Sequence, residues 1–252
     1  MSLGLVLALA AAGVIGLVLG GLGGGGSILT VPILVYLAGV DAKPAIAMSL
    51  IVVGVTAAVA LIPHARAGRV AWRVGALFGS AGMVGAYLGG RVAAFIPANV
   101  LLVAFGIMTI ATAWAMLRSR STPSAEDGPA KRRPVIKILL EGVAVGLVTG
   151  LVGAGGGFLV VPALVLLGGL SMPTAIGTSL LVIAMKSGAA FAGYLSTTTV
   201  DWPLTAAITA LAVLGSFAGA KLAGRIDPKR LRQAFAWFVV VIGVGMILGQ
   251  LL

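Results

Sequence analysis

The chain has no cysteine, a single histidine and only six acidic residues among its 252. Without thiols there is no disulfide and no cysteine nucleophile. One histidine, no His-Glu-x-x-His pattern and no facing pair of aspartates in an apolar run leave the hydrolytic sets without members. Asp41, Asp127, Asp201 and Asp227 all fall between apolar runs. Charge of either sign is scarce, at 9% of residues, where a soluble domain carries about 25%. With 60% hydrophobic residues, no water-soluble fold could cover the apolar surface, so most of the chain belongs in lipid. No ATP-binding module is visible, and no cofactor or metal is expected.

What is abundant is glycine and basic charge. Glycine occurs 38 times, about twice its ordinary frequency, and small residues let membrane helices approach closely. Seventeen Lys and Arg set a net charge of +11. That charge would suit a nucleic acid if it covered one surface. Instead nearly all of it lies in three short stretches between apolar runs, as the positive-inside rule predicts for a polytopic protein. The bilayer, not nucleic acid, is the expected partner. The opening "MSLGLVLALAAAG" lacks the Lys or Arg that precedes the apolar part of a signal peptide, and is read as mature structure.

Hydropathy divides the chain into eight apolar segments, at about 3–39, 44–63, 74–90, 98–117, 135–169, 174–195, 203–221 and 231–250. Six approach the ~20 residues of a spanning helix. The first and fifth are too long for one span, and each holds a glycine tract: "GGLGGGGSILTVP" at 20–32 and "GLVGAGGGFLVVP" at 150–162. Shifting the sequence by 130 residues aligns the halves without a gap. Over residues 17–53 there are 18 identities in 37 positions. Pro32 falls on Pro162, Ser49 on Ser179, Trp72 on Trp202, Gly85 on Gly215 and Gly89 on Gly219.

Loop charge gives the halves opposite orientations. Arg66, Arg69 and Arg73 lie in 64–73, whose counterpart 194–203 has no basic residue. Lys221, Arg225, Lys229, Arg230 and Arg232 lie in 221–232, whose counterpart 91–102 has only Arg91. The central stretch adds Arg118, Arg120, Lys131, Arg132, Arg133 and Lys137. Placing all fourteen on the cytoplasmic side requires each long segment to be a hairpin that returns to its starting side. A competing arrangement of eight kinked or straight spans leaves five of them outside. The expected fold is an all-α polytopic membrane protein of two inverted-topology repeats, each a Gly-broken helical hairpin followed by three transmembrane helices. Its parts are a first repeat at 1–117, a cytoplasmic linker at 118–134 and a second repeat at 135–252.

A non-helical turn in hydrocarbon persists only where protein or a water-filled cavity surrounds it. The helices beginning at Ser27 and Gly157 would aim free N–H groups and the positive end of the helix dipole at the tips. Gly23, Gly24, Gly25, Gly26 and Ser27 in one tip, and Gly153, Gly155, Gly156 and Gly157 in the other, are therefore candidate anion ligands. The competing role for these glycines is close helix packing. Lys186 is the one ionisable residue near the centre of an expected span, a placement that costs at least ~2.5 kcal/mol. It is read as the cation of an anion site, as a group that titrates during transport, or as a structural partner for a carbonyl or for Glu141. Ser49, Thr178 and Ser179 would complete a polar pocket, or their hydroxyls would bond to carbonyls of their own helix. Glu141 is placed to pair with Lys137. His64 reads as interfacial, and Trp72, Trp114 and Trp202 as interface anchors.

The segments "GGGGSILTVPILVYLAG", "AIAMSL", "GLVGAGGGFLVVPALVLLGGLSMPTAIGTSLLVI" and "GSFAGAKLAGRIDPKRLRQAF" resemble the TauE/SafE family of bacterial sulfite exporters over essentially the whole chain. That resemblance implies export of sulfite or a small organosulfonate such as sulfoacetate across the inner membrane. In this chain Met48, Ala47 and Ser27 stand opposite Thr178, Gly177 and Gly157, so a shared site would be asymmetric. The expected function is a secondary transporter working by alternating access, with a small anion as substrate and with proton or ion coupling and oligomeric state left open. The alternatives are an anion channel and a non-transporting membrane scaffold.

Overall fold

The computed structural model describes residues 3–22, 26–118, 135–152, 157–166, 169–195 and 197–222, with Val240 and Val244. Every regular element among them is helical. In chain order these are α1 (Leu3–Leu22), α2 (Ser27–Pro32, continued by a π-helical turn over Ile33–Leu37), α3 (Ala42–Arg66), α4 (Trp72–Ala93) and α5 (Ala98–Arg118). After the linker come α6 (Val135–Val152), α7 (Gly157–Leu166), α8 (Met172–Tyr194) and α9 (Trp202–Leu222). The 130-residue register carries over to the elements. The starts of α2, α3 and α4, moved by 130, are the starts of α7, α8 and α9, and the end of α1 is the end of α6. Among the described residues, four stretches are long and apolar enough to cross a bilayer: Gly4–Gly21, Ala42–Arg66, Pro173–Tyr194 and Trp202–Lys221.

The first long segment is a hairpin rather than one kinked span. At Gly26 a Cβ would run into the Ile15 carbonyl and come within 2.7 Å of the Leu19 amide. At Gly4 it would meet the Leu37 carbonyl. The chain thus turns near the far end of α1 and retraces it to its beginning. The return arm of eleven residues covers roughly 16 Å, about half of a hydrocarbon core. Its exit is a glycine with positive φ, Gly39 at 69°, and the equivalent Gly169 has 64°. The Val40 and Leu170 amides, one residue on, close matching loops to the Leu34 and Leu164 carbonyls at 3.0 and 3.1 Å. A side chain at either glycine would strain this left-handed turn.

The halves are joined by exchange. α1 packs against α9, and α6 against α4. Gly16 and Gly20 abut the Ala212 and Ser216 backbones, while Gly215 and Gly219 abut Gly13 and Leu17. In the other pair, Gly146 and Gly150 abut Gly82 and Ala86, while Gly85 and Gly89 abut the Val143 and Leu147 backbones. The two sets map onto each other residue by residue under the 130 shift. Both contact series rise together in number, so each pair runs parallel. α3 and α8 instead run antiparallel, since Gly54 faces Ser187 and His64 faces Gly177. In lipid there is little hydrophobic gain from bringing two helices together, so close backbone packing must supply the attraction.

At Gly16 an added Cβ would collide with the Ala212 backbone, whereas at Gly13 it would meet nothing within 4 Å. We predict that Gly16→Ala destabilises the protein by about 1–3 kcal/mol, while Gly13→Ala leaves it unchanged or slightly stabilised. Thermal unfolding in detergent checks this, and equal melting points for the two variants would remove the packing role.

Candidate functional site at the helix breaks

Of the candidate tip residues, Gly23, Gly24, Gly25, Gly153, Gly155 and Gly156 lie outside the described residues. Gly26 is the residue before α2, with φ −69° and ψ −21°, and Ser27 after it is fully buried. Gly157 is the first residue of α7. The half-helices α2 and α7 touch each other, so the two breaks approach one region of the molecule.

The candidate hydroxyls are not gathered in one place. Ser49 Oγ donates to the Ile46 carbonyl and Ser179 Oγ to the Ile176 carbonyl, both at 2.7 Å. With α3 and α8 antiparallel, these two serines sit roughly 20 Å apart along the helix pair. Thr178 Oγ1 accepts from the Ala71 N–H at 2.9 Å. Ala71 immediately precedes α4, so this hydroxyl ties the α3–α4 turn to α8. Its neighbour Gly177 leaves no space for a side chain against the Arg69 carbonyl.

Lys186 is the exception. It is 1% exposed, and its stem lies in the gap left by Gly82, where a Cβ would come within 2.8 Å of Lys186 Cδ. Its Nζ donates to Thr149 Oγ1 at 3.2 Å, and Thr149 Oγ1 donates to the Gly146 carbonyl at 3.1 Å. An ammonium has three donors, and Thr149 is its hydrogen-bond partner among the described residues. Thr149 stands three residues before the end of α6, so the lysine reaches the edge of the second break. A buried cation beside one neutral hydroxyl is an electrostatically incomplete arrangement.

Two residues of this region, Thr149 and Tyr194, were not singled out from the sequence. Thr149 was hidden because its hydroxyl has no counterpart in the first half, where position 19 is leucine. Tyr194, almost fully buried, donates its hydroxyl to the Leu151 carbonyl at 2.7 Å, just before the second break. The residue 130 positions earlier is His64, also buried, whose ring faces the Gly20 backbone. That approach falls short of hydrogen-bond geometry, and both ring nitrogens lack a partner among the described residues. Applying the repeat register to the lone histidine would have exposed this correspondence. Trp72, Trp114 and Trp202 are exposed, at 56%, 59% and 58%, as expected of anchors. Glu141 is half-buried, while the Lys137 side chain expected to pair with it lies outside the described residues. A groove of about 330 Å³ runs along α3 and α8, but its lining of residues such as Leu50, Val55, Ala184 and Phe191 is too apolar for an oxyanion.

Thr178→Val would leave the part-buried Ala71 N–H without its acceptor, a loss of about 1–3 kcal/mol, and Thr178→Ser should restore most of it. Melting curves of the two variants test this, and an unaltered melting point for Thr178→Val would argue against a structural role.

The sequence relationships of the chain agree with this architecture. The family model described as sulfite exporter TauE/SafE matches residues 8–246. A probable membrane transporter protein of Xylella fastidiosa (strain 9a5c) is 34% identical over 247 residues, covering 96% of this chain and 95% of the relative. A probable membrane transporter protein of Methanocaldococcus jannaschii is 29% identical over 254 residues, covering 93% and 94%. No solved structure matches the chain. Match length, helical membrane architecture and curated relatives agree, and the chain belongs to the TauE/SafE sulfite exporter family of membrane transporters.

Proposed function

We propose that this multi-pass transporter is a secondary exporter of a small sulfur oxyanion, sulfite or an organosulfonate such as sulfoacetate, across the bacterial inner membrane. The observation that carries the anionic substrate is Lys186. A lysine in the middle of a span persists when its charge is used or compensated, and among the described residues its partner is one neutral hydroxyl. An anion seated at the second break would supply the missing charge. The α7 N-terminus, through Gly157 and the glycines 153, 155 and 156, would present backbone N–H groups to its oxygens. The name of the matching family supports a sulfur oxyanion. Nothing in the site calls for bond-making chemistry, so the reading is transport rather than catalysis.

The assignment of ligands is narrower than the sequence suggested. Lys186 and the second tip form the core of the proposed site. Gly23, Gly24, Gly25, Gly26 and Ser27 enter as the opposed tip. Ser49, Thr178 and Ser179 already hold local bonds, so they would shape the surrounding helices rather than ligate the anion. An inverted arrangement of 1–117 and 135–252, with 118–134 as a cytoplasmic linker, is supported by the antiparallel run of α3 and its counterpart α8. Two such halves can rock against each other about a site near their shared axis, exposing it to each side in turn.

Two measurements test these points. Lys186→Met keeps most of the apolar stem and removes the charge. Its melting point should equal or exceed that of the wild type, while stabilisation by sulfite or sulfoacetate and vesicle uptake of these anions are lost. Undiminished uptake would remove Lys186 from the site. Because the chain has no cysteine, an Ala67→Cys or Thr199→Cys variant carries a unique thiol in an exposed loop. An impermeant maleimide should label the Thr199 variant in intact cells and the Ala67 variant only after permeabilisation. Labelling of both from one side would overturn the inverted topology.

A further inference from the structure

His64 is the only histidine in the chain, and the site at the second break makes no use of it. It lies in the last turn of α3 and is 9% exposed. Neither ring nitrogen has a hydrogen-bond partner among the described residues. A neutral imidazole has one donor and one acceptor to satisfy, and leaving both idle inside protein is costly.

The surroundings of the ring give it a place in the repeat. Ala60, one turn earlier on α3, packs in one cluster with Leu19 of α1, and the ring faces the Gly20 backbone. Gly20 is among the last four residues of α1, whose carbonyls find no donor within the helix. The second half holds the same arrangement in completed form: Tyr194 donates to the carbonyl of Leu151, the next-to-last residue of α6. His64 stands where Tyr194 stands, and Gly20 is one residue from the counterpart of Leu151. A tyrosine has one proton to give and has given it. An imidazole can give one N–H to the Gly20 carbonyl and still offer a second nitrogen to a proton.

The charges around this end of α3 are cationic. Arg66 and Arg69 are exposed at the turn after the helix, and Arg73 is exposed at the start of α4. α9, which meets Gly20 at Ser216, ends on the exposed side chain of Lys221. None of α1, α2, α4, α8 and α9 contains a carboxylate. On α8, whose Gly177 lies against the His64 Cβ, the nearest titratable group is Lys186, roughly 13 Å further along the helix. A positive charge on the ring is therefore opposed by its cationic neighbours. The carbonyl ends of α1 and α3 offset part of that repulsion, and an arriving anion would offset the rest. We propose that His64 is the proton site of the transporter: an oxyanion entering at the first break and a proton on the second ring nitrogen bind together, each tightening the other. Under the topology proposed above, this end of α3 faces the cytoplasm, and its exposed cations draw anions toward the break. The proposal rests on the reading of the chain as an anion transporter.

The test uses the full chain purified in detergent through a tag without histidine, so that labelled histidine gives a single imidazole signal. The probe is sulfoacetate, whose sulfonate and carboxylate both stay ionised between about pH 6 and pH 8. Saturating sulfoacetate should move protonation of the ring to higher pH in nitrogen NMR spectra of the wild type. Calorimetry in two buffers should show proton uptake on binding, with affinity rising as pH falls by up to about tenfold per pH unit, the limit for one coupled proton. His64→Gln, which keeps an N–H for Gly20, should bind at one weak level across this range and take up no proton. Lys186→Met should lose binding at every pH while its imidazole titrates as in the anion-free wild type. A wild type that binds no sulfoacetate overturns the anion site and the proton site together. Binding that leaves the ring's protonation unchanged, or proton-coupled binding that survives in His64→Gln, overturns the proton site alone.

Discussion

Everything in this molecule rests on backbone meeting backbone along two pairs of helices. At Gly16, Gly20, Gly215 and Gly219 in one pair, and Gly85, Gly89, Gly146 and Gly150 in the other, the neighbouring main chain occupies the space a side chain would need. Lipid offers these helices an environment as apolar as leucine, so burial of apolar area does not select one partner over another. Shape does. The spacing of four residues puts both glycines of a pair on one face, and the facing positions, Gly82 and Ala86 or Ala212 and Ser216, are small as well. With the pairs fixed, α3 and α8 are brought together between them, and the two broken helices are held where irregular backbone would otherwise face hydrocarbon.

Much of this could be read from the chain before any coordinates. The 130-residue register found in the sequence reappears in the helix boundaries and even in the positive φ of Gly39 and Gly169. The hairpin form of the first segment followed from its length and from loop charge. The exchange of partners did not, because a glycine pattern says that a helix packs closely but not against which neighbour. The candidate hydroxyls were legible as residues and not as ligands. Whether Ser49 or Ser179 turns back to its own helix depends on what lies opposite, and that is a tertiary fact. The burial of His64 was not legible for a similar reason: only the folded chain brings the end of α3 against the backbone of Gly20.

The two halves are most alike in their frame and least alike in their polar content. Lys186 answers to Thr56, Thr149 to Leu19, Tyr194 to His64 and Gly157 to Ser27. The glycine contacts are the same in both halves, each set closing one helix pair. The polar positions were free to part, and a site built near the junction of unlike halves can hold a charged ligand without requiring it to be symmetric.

The exchanged pairing also sets a timetable for making the protein. α1 leaves the ribosome first, yet the surface it fits, around Ala212 and Ser216, is synthesised in the last helix of the described structure. Until then its glycine face can only be lined by lipid or held by a transient companion. The first half is thus not a finished module awaiting a second copy. Closure joins α1 to α9 late, and such long-range pairing is slow compared with assembly from neighbours in sequence. A premature stop before α9 would yield not half a transporter but a set of spans with their best contacts missing.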